Sequence, residues 1–428
     1  MGPALQGLLF WNKKGNKPRC IAYLVSSTLL FNVYSSFKYI ASFTYDIDVS
    51  KMLQKVTTSA PGKIILCGEH AVVYGKEAIA CSLNLRTTCC IELLSNSQFE
   101  INVPGLDLQK CWNITEIYQL YDTAKIDPTH PEIHKENEAF VKLLENEEKN
   151  LQKLSLHIIL MLYICIGSSF KDNRTGLRIT LTSQLPIGGG LGSSASFAVA
   201  VSSALLVLYG VISSKQDEWS DSHYKLISDW SYQAETIIHG TPSGIDNSVA
   251  TYGHCVGFKA GHVDLLTNLS FMKLDVLVVN TKIPRSTREL VGAVREKREK
   301  FPELFESIFN SIDCITRSFK EILLEISRGS NNARIYKNLK DLISINGHLL
   351  EGIGVGHECI SSVVTTCSKY GLGSKLTGAG GGGCVFALIP PGYCKEKIDK
   401  VVKELESQNF ECWRTVLGGG GVQLHTVT

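Results

Sequence analysis

The sequence predicts an α+β chain. Strand-like β-branched runs and long helical patterns are both present, they do not alternate strictly, and glycine-rich loops interrupt the order of elements. A length of 428 residues, 44% hydrophobic and 20% charged, gives room for two domains with real cores and excludes a disordered chain. In chain order, Cys89–Leu93 reads as a strand, and residues 139–166 carry a helical pattern that begins on a charged, solvated face. Leu177–Leu181 alternates apolar and polar residues, as a half-buried strand does. Residues 195–212 form an uncharged run rich in small residues, read as a buried helix. The helix at 224–239 is stopped by Gly240 and Pro242. Leu274–Asn280 is a β-branched strand, residues 288–319 a long helix, and residues 384–389 a closing strand.

These elements divide the chain into an extension at 1–51, a first domain at 52–270 and a second at 271–428. The extension is unlike the rest. Lys13, Lys14, Lys17, Arg19 and Lys38 meet no acid before Asp46, and a mostly apolar run follows from Cys20 to Tyr34. The composition resembles a transit or anchor segment, but the run is too short and too often interrupted to span a bilayer. The runs at 154–166 and 195–212 read as core helices, so no membrane is expected for the folded part.

A net charge of +2 supplies no basic field for a nucleic-acid partner. Fourteen cysteines without a C-x-x-C pair argue against a zinc site or a secreted disulfide scaffold, and reduced thiols in a cytoplasmic protein are expected.

Four segments carry chemistry. Leu185-Pro-Ile-Gly-Gly-Gly-Leu-Gly-Ser-Ser-Ala195 links a strand to a helix. Its glycines free backbone N–H groups for a ligand, and the helix start adds a positive dipole end, so the loop reads as a phosphate cradle. It lacks the Lys of a Walker loop and the acid expected of a dinucleotide fold. The competing reading is a glycine turn with Ser193 or Ser194 as helix cap. In Glu235-Thr-Ile-Ile-His-Gly-Thr-Pro-Ser-Gly-Ile-Asp246, two carboxylates flank a tight turn and could converge, one on a cation and one on a proton. Asp246 could equally be a helix cap. Ser59 to Gly75 places Lys63 just before an apolar strand, with Glu69 and His70 after it, and a Lys at a strand mouth could equally be a plain surface charge. Lys375-Leu-Thr-Gly-Ala-Gly-Gly-Gly-Gly-Cys384 lets something approach its backbone closely.

Together these segments resemble the GHMP kinases, the superfamily of galactokinase, homoserine kinase, mevalonate kinase and phosphomevalonate kinase. Residues 60–74, 186–195 and 375–384 are similar to its three motifs, and 239–247 is similar to the branch that phosphorylates mevalonate. The resemblance implies a ribosomal-S5-like N-terminal domain joined to a ferredoxin-like C-terminal domain, with ATP and Mg²⁺ between them and mevalonate as acceptor. It implies Asp246 as base and Lys63 beside it, contacting nucleotide and reacting oxygen. Ser194 and Glu235 would be Mg²⁺ ligands. Gly188, Gly189, Gly190, Leu191, Gly192, Ser193 and Ser194 would form the triphosphate loop, with Ser183 as a further nucleotide contact. His70 and Thr287 would support the substrate, and the family likeness implies a homodimer. Two departures are visible: Pro186-Ile-Gly-Gly-Gly190 replaces the usual Pro-Pro-Gly-Ala-Gly, and Gly105 stands where an Asn is usual. Another small-molecule kinase of the superfamily, or a ligand sensor without catalysis, remains the alternative.

Overall fold

The computed structural model describes residues 53–124, 149–167, 175–240, 242–266, 269, 272–330 and 332–428. The expected extension, the first part of the helix at 139–166 and most of the boundary near residue 270 lie outside them. The described strands are β1 Lys55–Cys67, β2 Ala78–Leu93, β3 Gln98–Val103, β4 Leu108–Asn113, β5 Leu177–Ser183, β6 Cys255–Lys259, β7 His262–Leu265, β8 Leu274–Asn280, β9 Gly373–Leu376, β10 Cys384–Leu388, β11 Glu411–Leu417 and β12 Gln423–Val427. The helices are α1 Ile114–Ala124, α2 Asn150–Gly167, α3 Ser193–Leu208, α4 Asp221–His239, α5 Ile245–Tyr252, α6 Thr287–Lys300, α7 Pro302–Ser327, α8 Ala333–Leu350, α9 Glu358–Lys369 and α10 Lys395–Glu406.

The strands join one mixed sheet whose main path runs β4-β3-β5-β2-β11-β8-β10-β9. The long β2 is the hinge of this arrangement. Its start pairs with β6, its end with β5, and it meets β11 at Leu83 opposite Leu417. The last strands of the chain therefore close onto the first. Only β3 and β5 run parallel among the described pairs.

Helices α2, α3 and α4 bury their apolar surface against the β1–β5 part of the sheet, in one core with Phe99, Ile101 and Ile179. From Ala195 onward α3 is almost wholly buried, which explains why its sequence carries no charge. At about 1.5–3 kcal/mol per large aliphatic side chain, this packing accounts for an uncharged helix without any bilayer. Helix α2 has the length and composition to cross a membrane, yet 72% of it is buried inside the fold.

In the second half, β8 buries both faces. Val276 and Val278 pack with Phe319, Leu339 and Phe386, whereas Leu277 and Val279 pack with Phe309, Val363 and Val401. The expected strand at 274–280 is present with those bounds. The expected helix at 288–319 is two helices: α6 ends at Lys300, and α7 starts with Pro302 at its first turn. Proline cannot supply the interior N–H bond but fits a helix start, so the chain breaks there.

The expectation of reduced thiols throughout also needs correction. Cys81 on β2 and Cys255 on β6 sit opposite each other in register and are joined by a disulfide. They are 174 residues apart in sequence, and only the sheet register brings them together. The other described cysteines are free.

Candidate active site

Strand β1 carries Lys63 just after a register shift between Pro61 and Gly62. Gly62 is required by what crosses it: a Cβ there would lie 2.5 Å from Leu185 Cδ2 and 2.8 Å from the Leu191 carbonyl oxygen. The loop from 185 to 192 thus lies directly on β1, and the Lys63 N–H donates to the Leu191 carbonyl at 2.8 Å.

Gly188, Gly190 and Gly192 adopt φ values of +72°, +77° and +72°, a region that glycine enters without steric cost. The cap of α3 is Gly192, and no side chain caps the helix. The reading of Ser193 or Ser194 as cap is therefore incorrect. The N–H groups of the first turn are left for a ligand, next to the positive end of the helix dipole.

Asp246 is not a cap either. Gly244, at φ +82°, caps α5, and Asp246 lies in the first turn behind it. Its Oδ1 is 3.2 Å from Lys63 Nζ, with the lysine side chain 8% and the aspartate 34% exposed. A Cβ on Gly192 would fall 2.9 Å from Lys63 Cγ and 3.7 Å from Asp246 Oδ2, so the pair lies directly against the uncapped start of α3.

Glu235 projects from the last turns of α4, which ends at Gly240 as expected. It is buried, accepts a hydrogen bond from Ser194, and leaves Oε1 without a partner. Burial, reinforced by the negative charge of Asp246, pushes its carboxyl up to about 8. An orphaned buried oxygen beside a hydroxyl and a second carboxylate suits a hard cation. Among the described residues no cluster of three or more His, Cys, Asp or Glu could hold a metal. Mg²⁺ needs no such cage, because it keeps waters and takes substrate phosphate oxygens beside one or two carboxylates. The residues present fit Mg²⁺.

The remaining candidates separate. Ser183 is exposed at the end of β5; its hydroxyl pairs with Thr87 Oγ1 at 2.9 Å and accepts from the Leu185 N–H at 3.2 Å, shaping the loop entrance. His70 is buried, with Nε2 donating to the Ala379 carbonyl at 2.9 Å, so it supports the third glycine loop. Burial holds its imidazole below the ordinary value. Thr287 is exposed at the start of α6, after the cap Ser286. Gly105 lies in the β3–β4 turn, with open space where a side chain would be.

Two arrangements were not foreseen. Glu69 and Lys375 form a fully buried ion pair, extended by Asn346 Nδ2 donating to Glu69 Oε2 at 3.3 Å. Both lie inside motif segments, but nothing in their spacing predicts that they meet. Arg285, in the turn between β8 and α6, donates from Nη2 to the Gly189 carbonyl at 3.4 Å and from Nη1 to the Thr377 carbonyl at 3.3 Å. It thereby joins the phosphate loop to the third glycine loop. A cavity of about 320 Å³ near Tyr224 and Tyr252 gathers no comparable set of charges.

Residues 157–254 match the family model of the GHMP kinases N terminal domain, and residues 332–411 that of the GHMP kinases C terminal domain. Similar proteins include the mevalonate kinase of Bos taurus, 37% identical over 88% of this chain and 96% of that protein. The mevalonate kinase of Arabidopsis thaliana is 35% identical over 86% and 99%. A crystal structure of a mevalonate kinase superposes with a TM-score of 0.65 at 26% identity, covering 85% of this chain and 99% of that one. The L. major mevalonate kinase in complex with R-mevalonate superposes at 0.62, with 24% identity over 85% and 96%.

Proposed function

The chain belongs to the mevalonate kinase family of the GHMP kinases, and from that premise we propose that its site transfers the γ-phosphoryl group of ATP to the 5-hydroxyl of (R)-mevalonate, giving 5-phosphomevalonate and ADP. The observation that carries the reading is Lys63 Nζ at 3.2 Å from Asp246 Oδ1, set against the uncapped start of α3. A carboxylate is too weak a base to strip an alcohol in the ground state. It accepts the proton late, as the oxygen bonds to phosphorus and becomes acidic. Phosphoryl transfer has a loose transition state, so positioning and charge neutralisation do most of the work. Lys63 holds the aspartate in place and faces the charge developing on the transferring oxygens. The first-turn N–H groups of α3 and the loop 188–194 cradle the phosphates.

Ser194 and Glu235 would hold Mg²⁺. When bound, that ion supplies positive charge to the phosphate oxygens. A homodimer and a cytoplasmic setting belong to the same reading on family likeness. The test is a coupled ATP-consumption assay across mevalonate, phosphomevalonate, galactose and homoserine. Turnover with mevalonate and not the others is expected; turnover confined to another acceptor would overturn the reading.

A further inference from the structure

Beyond Ser59, where its pairing with β12 stops, β1 has one edge that no described strand covers. At Ile65 that edge is closed by a side chain instead. The Ile65 N–H donates to Thr377 Oγ1 at 2.9 Å, and the Thr377 hydroxyl donates to the Ile65 carbonyl at 3.0 Å. A hydroxyl carries one donor and two acceptor lone pairs, so a single atom satisfies both backbone groups of Ile65, as a neighbouring strand would. Thr377 is fully buried and lies 312 residues away in sequence.

Both partners stand next to the reacting groups. Ile65 follows Lys63 by two residues in a stretch of unbroken register, Lys63 opposite Ser82 and Ile65 opposite Ala80, so the two share one face of β1. The Ile65 side chain packs against the cluster that holds Ile245 and Val249, the residues of α5 on either side of Asp246. Thr377 follows β9 and opens the third glycine loop, and its N–H donates to the Cys384 carbonyl at 3.1 Å, closing that loop at its base. The register of β1 shifts just after Ile65, before Cys67. A bulge disrupts the ladder locally, so the hydroxyl grips the strand where strand pairing holds it least.

We propose that Thr377 is a positioning residue: its hydroxyl fixes Ile65, and through it the spacing of Lys63 and Asp246, against the third glycine loop. The proposal rests on the kinase reading above and deepens it, because assembly of the reacting pair then depends on contact between the two halves of the chain. Thr377 itself touches neither reacting group. Its effect comes through geometry, where a displacement of about 1 Å costs about 100-fold in rate.

The test compares the full-length protein with Thr377→Val, which keeps the shape and removes the hydroxyl, and Thr377→Ser, which keeps the hydroxyl. The readouts are kcat, KM for mevalonate, calorimetric ATP affinity, melting temperature and hydrogen exchange of the peptide spanning residues 62–67. The Val variant is expected to lose about 10- to 100-fold in kcat, with ATP affinity within about twofold of the parent and faster exchange at 62–67. The Ser variant is expected to stay within about threefold of the parent in kcat. Because the effect runs through Asp246, adding Thr377→Val to Asp246→Asn should cost less than about threefold more, whereas losses of independent origin multiply. A folded Val variant with kcat within about twofold of the parent overturns the proposal. So does a Val loss that multiplies with that of Asp246→Asn, or a Ser variant as impaired as Val. Should the Val variant not fold, Thr377→Ala, whose smaller side chain leaves room for a water on the Ile65 groups, is read by the same criteria. A parent protein that binds ATP yet does not turn over mevalonate would instead overturn the kinase reading. Hydrogen exchange would then still decide the clamp, an unchanged rate at 62–67 counting against it.

Discussion

Lys63 Nζ and Asp246 Oδ1 stand 3.2 Å apart, with the lysine buried and the aspartate open on one side. A pair buried on both sides would be structural. One whose carboxylate faces outward can still receive a proton.

Replacing Asp246 by Asn keeps the size of the side chain and its contact distance to Lys63, but removes the proton acceptor. The expected result is a fall in kcat of about 10²–10⁴-fold with ATP binding retained, the usual cost of losing a general base. Steady-state kinetics and nucleotide titration check it. Near-normal turnover in the folded variant would remove Asp246 from that role.

What the sequence made legible follows from locality. The phosphate loop, Lys63 and Asp246 each lie in a short segment whose residue types state their chemistry, and β8 shows as a valine-rich apolar run. The contrary cases are contacts between distant segments. Nothing about a lone Arg285 in a turn says that it fills a slot between two glycine loops. Glu69 and Lys375 look like ordinary surface charges until the segment that follows β1 is brought against β9. Cys81 and Cys255 meet only through the β2–β6 register. The break at Pro302 is a local signal, although the helical periodicity continues on both sides of it.

Glu235→Gln and Ser194→Ala should each raise the Mg²⁺ concentration needed for half-maximal rate. A neutral amide, or a missing hydroxyl, is a poorer partner for a hard cation. A shift of about tenfold or more is expected, comparable to the loss of a supporting group around a metal. Melting temperature separates this from misfolding: a carboxyl pushed up to about 8 is largely protonated at neutral pH, so the amide replaces a neutral group of the same size and should leave the Gln variant no less stable. An unchanged Mg²⁺ titration in both variants would assign the two residues to packing alone.

The buried Glu69–Lys375 pair predicts a strongly non-additive cycle. Neither side chain is exposed, and Lys375 Nζ also lies 5.3 Å over the Phe386 ring. Lys375→Met or Glu69→Leu alone strands a charge in the interior and should cost about 3–5 kcal/mol. The double variant should cost much less than the sum, because no charge is left unpaired. Urea unfolding of the four proteins measures the coupling. Additive losses would mean that water reaches the site and the pair is not isolated.

His70 predicts the direction of a pH effect. Its imidazole is held below the ordinary value of 6.5, first by burial and then by the nearby charge of Arg285. The Ala379 carbonyl and Glu69 oppose that shift without cancelling it. Between the lowered folded value and the unfolded value near 6.5, the unfolded chain therefore holds more protons than the native one. Stability must then fall as pH is lowered through that window, and the contribution is fully present above it. His70→Asn keeps a hydrogen-bond donor and tolerates the positive φ of 59° better than most side chains, but it cannot titrate. Urea unfolding at a series of pH values between neutrality and pH 5 should show a steeper loss for the parent than for the Asn variant. The difference between the two curves isolates His70, because every other titrating group is shared. Parallel curves would mean that the ring takes up its proton in the folded protein as readily as in the unfolded chain, so that burial does not hold its imidazole down.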